Sequence, residues 1–154
     1  MSLYLLALLI GIIAGLRAMT APAVVSWGAY LGWVPVGGSW AAFMGHWIAV
    51  AVLSIAAIAE LIADQLPSTP SRKVPQAFGA RIVTGGLSGA VIGAGAGLTA
   101  GGLVAGVVGA VLGTYGGAWA RARMAAAFGQ DRPAALIEDA VAILGAVLIV
   151  GAVS

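Results

Sequence analysis

The chain has 154 residues, of which 62% are hydrophobic and only 8% are charged, with a formal net charge of +2 and no cysteine. A soluble domain carries roughly 25% charged residues, so this composition excludes one and predicts a single transmembrane domain over residues 1–154. The lack of cysteine excludes disulfide and thiol chemistry, and cations confined to the neighbourhood of helix ends argue against a nucleic-acid partner.

Apolar segments recur along the whole chain, and a helix needs about 20 apolar residues to cross a membrane. The first segment, Leu3 to about Tyr30, is too long for one straight span, and Thr20-Ala21-Pro22 lies near its middle. Proline removes a helical hydrogen bond, so we expect a break near Pro22. The other four segments are Trp40 to Leu66, Gln76 to Leu98, Gly101 to Phe128 and Pro133 to Val153. The sequence thus predicts an all-α, polytopic membrane bundle of about five transmembrane helices.

The connections differ in charge. Arg72 and Lys73 lie between the second and third spans, and Arg132 lies between the fourth and fifth, preceded by Arg121 and Arg123. With five spans these two connections share one side, whereas the other short loops carry no Lys or Arg. The positive-inside rule then predicts a cytoplasmic N-terminus and an external C-terminus.

Glycines recur at every fourth position in two rows: Gly85, Gly89, Gly93, Gly97 and Gly101, and Gly109, Gly113 and Gly117. This spacing places each row on one helix face, where missing side chains let two backbones approach closely. We expect this glycine zipper to pack the third helix against the fourth. A homodimer interface and a pore lining are the alternatives.

Two short stretches hint at an internal repeat. Gly11 to Arg17 is similar to Gly109 to Gly113, and Glu60 to Asp64 is similar to Ile137 to Asp139. In a five-span layout the first and fourth helices run in opposite directions, as an inverted repeat requires.

Arg17 lies about 20 Å into its helix, at a depth where insertion of a charge costs about 2.5 to 3.5 kcal/mol. Thr20 and the carbonyls freed by Pro22 provide polar neighbours, so this broken helix is interpreted as a site for an anion. Glu60 and Asp64 lie one turn apart on the second helix, and Arg81 lies at the same depth on the third. These residues form the predicted substrate-binding set: Arg17, Thr20, Glu60, Asp64 and Arg81.

Other polar residues have simpler explanations. Carboxylates at the start of a helix and cations at its end complement the helix dipole, which explains Glu138, Asp139, Arg121 and Arg123, together with interhelical ion pairs. His46 is interpreted as an interfacial hydrogen-bonding residue, since the spacings of a metal site are missing. The sequence predicts no metal, no cofactor and no catalytic residue.

Several of these motifs resemble those of a known family. Gly15-Leu16-Arg17-Ala18 followed by Pro22, Glu60 to Pro67, Pro70-Ser71-Arg72 and Ala80-Arg81-Ile82 resemble the bacterial membrane family catalogued as domain of unknown function 4126. The match covers roughly Leu6 to Ala94, and the later part shares only its Gly-rich helical character. The resemblance implies a small polytopic inner-membrane protein and carries over no catalytic role.

The leading hypothesis is a small transporter or channel-like protein, in contact with membrane lipids and able to work as a homo-oligomer, for a small anionic or proton-coupled substrate. The alternative is a non-catalytic membrane module that binds lipid or a partner protein. An enzyme acting on a lipid head group, with Glu60 or Asp64 as base and Arg81 on the phosphate, has no supporting motif.

Overall fold

The computed structural model describes residues 2–63, 75–129 and 131–153, and this part of the chain is helical without strands. Six α-helices follow one another: α1 (Leu3–Leu16), α2 (Thr20–Tyr30), α3 (Trp47–Ala63), α4 (Pro75–Ala94), α5 (Thr99–Phe128) and α6 (Asp131–Gly151). A 3₁₀ helix, Trp40–Gly45, precedes α3. The second predicted span therefore begins later than expected, because His46 is extended and separates the 3₁₀ helix from α3.

Helices α4, α5 and α6 are long and apolar enough to cross a membrane. Helices α1 and α3 are apolar but shorter. At 1.5 Å per residue, the 14 residues of α1 and the 11 residues of α2 extend about 21 and 16 Å. Neither reaches the roughly 30 Å of a hydrocarbon core. A membrane bundle is thus supported, whereas the predicted count of five crossings is not established.

Helices α1 and α2 form a hairpin. Along α6, Glu138 contacts Arg17, Gly145 faces Ile13, and Val150 faces Gly28. Helix α1 therefore runs antiparallel to α6, whereas α2 runs parallel to it. The first predicted span does not cross the bundle but turns back within it. Residues 2 and 153 therefore lie at the same end of the bundle, and not at opposite ends as predicted. We call this the near end, and the end holding Ala63, Pro75 and Phe128 the far end.

Backbone-to-backbone contact joins α1, α4 and α5. A Cβ atom added to Gly106 would overlap the carbonyl oxygen of Gly85 on α4, and one added to Gly11 of α1 would overlap that of Gly106. Close packing of α4 on α5 is as predicted, and α1 joins them as a third member. The first predicted row of glycines, Gly85 to Gly101, does not continue along one helix. Helix α4 ends at Ala94, and Gly97 lies in the following turn at φ +72°.

Helices α1 and α5 run in the same direction, since Tyr4 contacts Gly101 and Ile12 contacts Gly113. The inverted repeat that was predicted from their sequence similarity is therefore wrong, because that relation requires opposite directions.

Large apolar side chains cover the outside of the bundle. Ile55 of α3, Val83 of α4 and Leu148 of α6 are 68%, 68% and 74% exposed. An apolar surface of this extent is not stable in water but suits contact with lipid chains. The buried core, by contrast, includes Leu6, Ile10, Val25, Val91 and Val150.

Candidate functional site

The turn Arg17-Ala18-Met19 between α1 and α2 and the last two residues of α1, Gly15 and Leu16, are together called the hairpin tip. Helix α1 ends here because Arg17 is extended, at φ −142° and ψ 110°. Helix α2 begins at Thr20, which places Pro22 in its first turn, where a missing N–H group breaks no helical hydrogen bond. The break expected near Pro22 thus lies a few residues before it, because proline is tolerated at the start of a helix.

Glu60 of α3 binds the α2 side of the hairpin tip. Its Oε2 accepts a hydrogen bond of 2.9 Å from the Ala18 N–H, and its Oε1 accepts one of 2.8 Å from the Met19 N–H. The first N–H groups of a helix lack partners within the helix and carry partial positive charge. The Glu60 carboxylate supplies both a hydrogen-bond acceptor for these N–H groups and a negative charge opposite their partial positive charge.

Two arginines bind the α1 side of the hairpin tip. Arg81 of α4 donates from Nε to the Gly15 carbonyl at 3.0 Å, and Arg17 donates from Nη1 to the Leu16 carbonyl at 2.9 Å. The last carbonyls of a helix carry partial negative charge, so cations complement this end as Glu60 complements the other.

The Arg17 guanidinium also holds two consecutive carboxylates of α6. Its Nη1 donates to Glu138 Oε1 at 2.5 Å and its Nε donates to Asp139 Oδ1 at 2.6 Å. Arg17 is fully buried. Arg121 of α5 approaches the same Glu138 oxygen at 3.6 Å. The interhelical ion pairs predicted for Glu138 and Asp139 are confirmed, whereas their pairing with Arg17 was not predicted.

We call these side chains the tip network: Arg17, Glu60, Arg81, Arg121, Glu138 and Asp139. Its three cations and three carboxylates come from α1's end, α3, α4, α5 and α6. Glu138 lies seven residues into α6, so the network lies about 10 Å inside the far end of the bundle. Charges at such depth are stable only where they pair or face a polar cavity.

Of the predicted site residues, the structure brings Arg17, Glu60 and Arg81 into contact with the hairpin tip, and Thr20 follows it as the first residue of α2. Asp64 lies outside the described residues. Thr20 is 3% exposed and its hydroxyl has no hydrogen-bond partner. Thr114 of α5, whose backbone nitrogen faces Gly15, also has a buried hydroxyl without a hydrogen-bond partner.

Among the described residues, no group of three His, Asp or Glu side chains is placed to hold a metal ion, and His46 has a local role instead. Its Nδ1 accepts a hydrogen bond of 3.1 Å from the Ile48 N–H, and its ring stacks on Trp47. It therefore caps the first turn of α3, a local role close to the one predicted.

No protein-family model, curated protein or solved structure matches this chain. The resemblance to domain of unknown function 4126 therefore stays a prediction, and the function must be argued from the hairpin tip itself.

Proposed function

We propose that the protein is a small polytopic inner-membrane transporter or channel-like protein for a small anionic or proton-coupled substrate, with the hairpin tip as its substrate site. The observation that carries the proposal is Arg17, fully buried at a helix break and bound to Glu138 and Asp139. Charged side chains at membrane depth are costly and characteristically mark substrate and ion pathways.

The arrangement favours exchange of partners. Arg17 holds two carboxylates through different nitrogens, so protonation of one carboxylate weakens one arm and leaves the other in place. An N–H group released in this way is a donor for an incoming anion. This couples binding of a proton to binding of an anion without leaving Arg17 unpaired. No catalytic residue is part of the proposal.

In the proposed membrane arrangement, α3 to α6 cross the bilayer and the α1–α2 hairpin enters from the near end without crossing. Non-helical backbone at membrane depth is stable where protein buries it, and Ala18 and Met19 hydrogen-bond to Glu60. Arg121 and Arg123 lie toward the far end, and Arg72 and Lys73 follow α3 in the sequence. The positive-inside rule then makes the far end cytoplasmic, which replaces the predicted cytoplasmic N-terminus by an external one.

The test is flux through proteoliposomes that contain the purified protein and a pH-sensitive dye. Formate, acetate, fluoride, chloride and phosphate are each imposed as a gradient with and without a pH difference. We expect one class of anion to enter together with protons, and Arg17→Gln to reduce that flux at least about tenfold, as expected when a charged hydrogen bond to the substrate is lost.

Arg123→Gln is the matched control. Arg123 is exposed on α5 and stacks over the Trp119 ring at 5.1 Å, outside the tip network. Its variant should transport like the unchanged protein. No flux for any of the anions, or equal loss in both variants, contradicts the proposal.

One observation favours the alternative, a module that binds lipid. Trp40 donates a hydrogen bond to Thr99 at 3.0 Å and borders an apolar groove of about 450 Å³ between α4 and α5, lined by Ile82, Leu87, Leu103 and Val107. If this groove is the functional site, Leu103→Trp should displace co-purified lipid while Arg17→Gln should not.

A further inference from the structure

The α2 end of the hairpin tip has the geometry of a carboxylate-binding site. Two consecutive N–H groups, of Ala18 and Met19, each meet a different oxygen of one carboxylate, at 2.9 and 2.8 Å. Met19 is the N-cap of α2 and Ala18 precedes it, so both N–H groups lie at a helix N-terminus, a position that favours anions. Here the anion is the side chain of Glu60, which comes from a different helix.

A second group in the same turn is without a partner. Thr20, the residue after Met19, has a buried hydroxyl that makes no hydrogen bond. Buried polar groups are almost always paired, so an orphaned hydroxyl beside two anion-binding N–H groups indicates a ligand that Glu60 does not fully replace. The Arg17 guanidinium, which binds Glu138 and Asp139, belongs to the residue directly before these groups.

We propose that the hairpin tip binds a small carboxylate anion, and that Glu60 occupies this site until the substrate displaces it. The inference rests on the proposed transport function and names its substrate class. A carboxylate offers two oxygens at the separation that the two N–H groups already accept, whereas a halide offers one atom. A phosphate dianion would bring two negative charges, where a carboxylate brings one, to a network that has three cations and three carboxylates among the described residues.

The proposal predicts different roles in anion binding for the two threonines with buried, unpaired hydroxyls, Thr20 and Thr114. Valine has nearly the shape of threonine, so Thr20→Val and Thr114→Val each remove one orphaned hydroxyl. Both variants should melt at the same temperature or higher, because an unpaired buried hydroxyl destabilises the fold. Only Thr20→Val should weaken anion binding. Thr114 is the control because its backbone lies against Gly15 of α1, whereas Thr20 directly follows the two N–H groups that Glu60 binds.

The experiment is isothermal titration of the full-length, detergent-purified protein with sodium formate and sodium acetate, and with chloride and phosphate at equal ionic strength. We expect Glu60→Gln to bind acetate at least about tenfold more tightly than the unchanged protein, because the competing charge is gone. Adding Thr20→Val to Glu60→Gln should weaken acetate binding about tenfold, the loss of one hydrogen bond to a charged group. Adding Thr114→Val should leave acetate binding within about twofold.

Equal effects of the two threonine changes, equal binding of chloride or phosphate, or no gain in Glu60→Gln would overturn the proposal. If Glu60→Gln does not fold, the same threonine comparison is made in the otherwise unchanged protein, and absence of acetate binding there also overturns it. The titration needs no flux, so binding without transport contradicts only the transport proposal, and transport without carboxylate binding contradicts only this one.

Discussion

The two halves of the α1–α4–α5 contact are built in opposite ways. Toward the near end, Gly11, Gly85 and Gly106 bring three backbones together with no side chain between them. Toward the far end, the same helices are joined to α3 and α6 by long charged side chains around the hairpin tip. The glycine contact has one arrangement only, whereas ionic side chains can exchange partners. Close backbone packing in one half thus supports the half in which we propose that ionic partners are exchanged.

The largest expected effect is in the glycine half. In Gly106→Leu the new side chain would overlap the Gly85 backbone, which cannot move away as a side chain would. We expect a loss of at least about 3 kcal/mol in the free energy of unfolding. Denaturant titration in detergent micelles measures it. Gly116→Leu on the same helix is the control, because nothing lies within 4 Å of its added Cβ. If both variants were similarly stable, close backbone packing at Gly106 would not hold this half of the bundle together.

Removal of one carboxylate from Arg17 should have the next largest effect. Glu138→Leu leaves a fully buried guanidinium with one α6 partner fewer, and breaking a buried ion pair costs about 3 to 5 kcal/mol. The retained contact to Asp139 places the expected loss of unfolding free energy at the low end of that range. Denaturant titration in detergent micelles measures this loss as well. A loss below about 1 kcal/mol would mean that the pair does not hold α6 to the hairpin tip.

Arg121→Ala should have a much smaller effect. Its guanidinium is farther from Glu138, at 3.6 Å, and the side chain is 18% exposed. Pairs near a surface contribute about 0 to 1 kcal/mol to stability. We expect a decrease of unfolding free energy within that range, and a double variant with Glu138→Leu should show that the two changes are not additive. Full additivity would place Arg121 outside the tip network.

The sequence predicted an all-helical membrane bundle and singled out Arg17, which the structure places at the centre of the tip network, because a deep arginine in an apolar chain must find charged partners. It did not predict the hairpin, since a run from Leu3 to Tyr30 has the same apolar pattern whether the chain bends or turns back. For Glu138 and Asp139 it predicted interhelical ion pairs but not Arg17 as their partner, because a local dipole argument contains no information on which tertiary partner is chosen. Thr114 was missed for the same reason, although it directly follows Gly113 in the predicted glycine row.

The hairpin is the central claim, and the natural lack of cysteine allows a direct test. Single-cysteine variants Ser2→Cys, Gly37→Cys and Gly129→Cys, in intact cells and in inverted vesicles, are treated with a thiol reagent that does not cross membranes. The account predicts that positions 2 and 37 react from the same side and position 129 reacts from the other. Reaction of positions 2 and 37 from opposite sides would show that the first segment crosses the membrane and would contradict the hairpin.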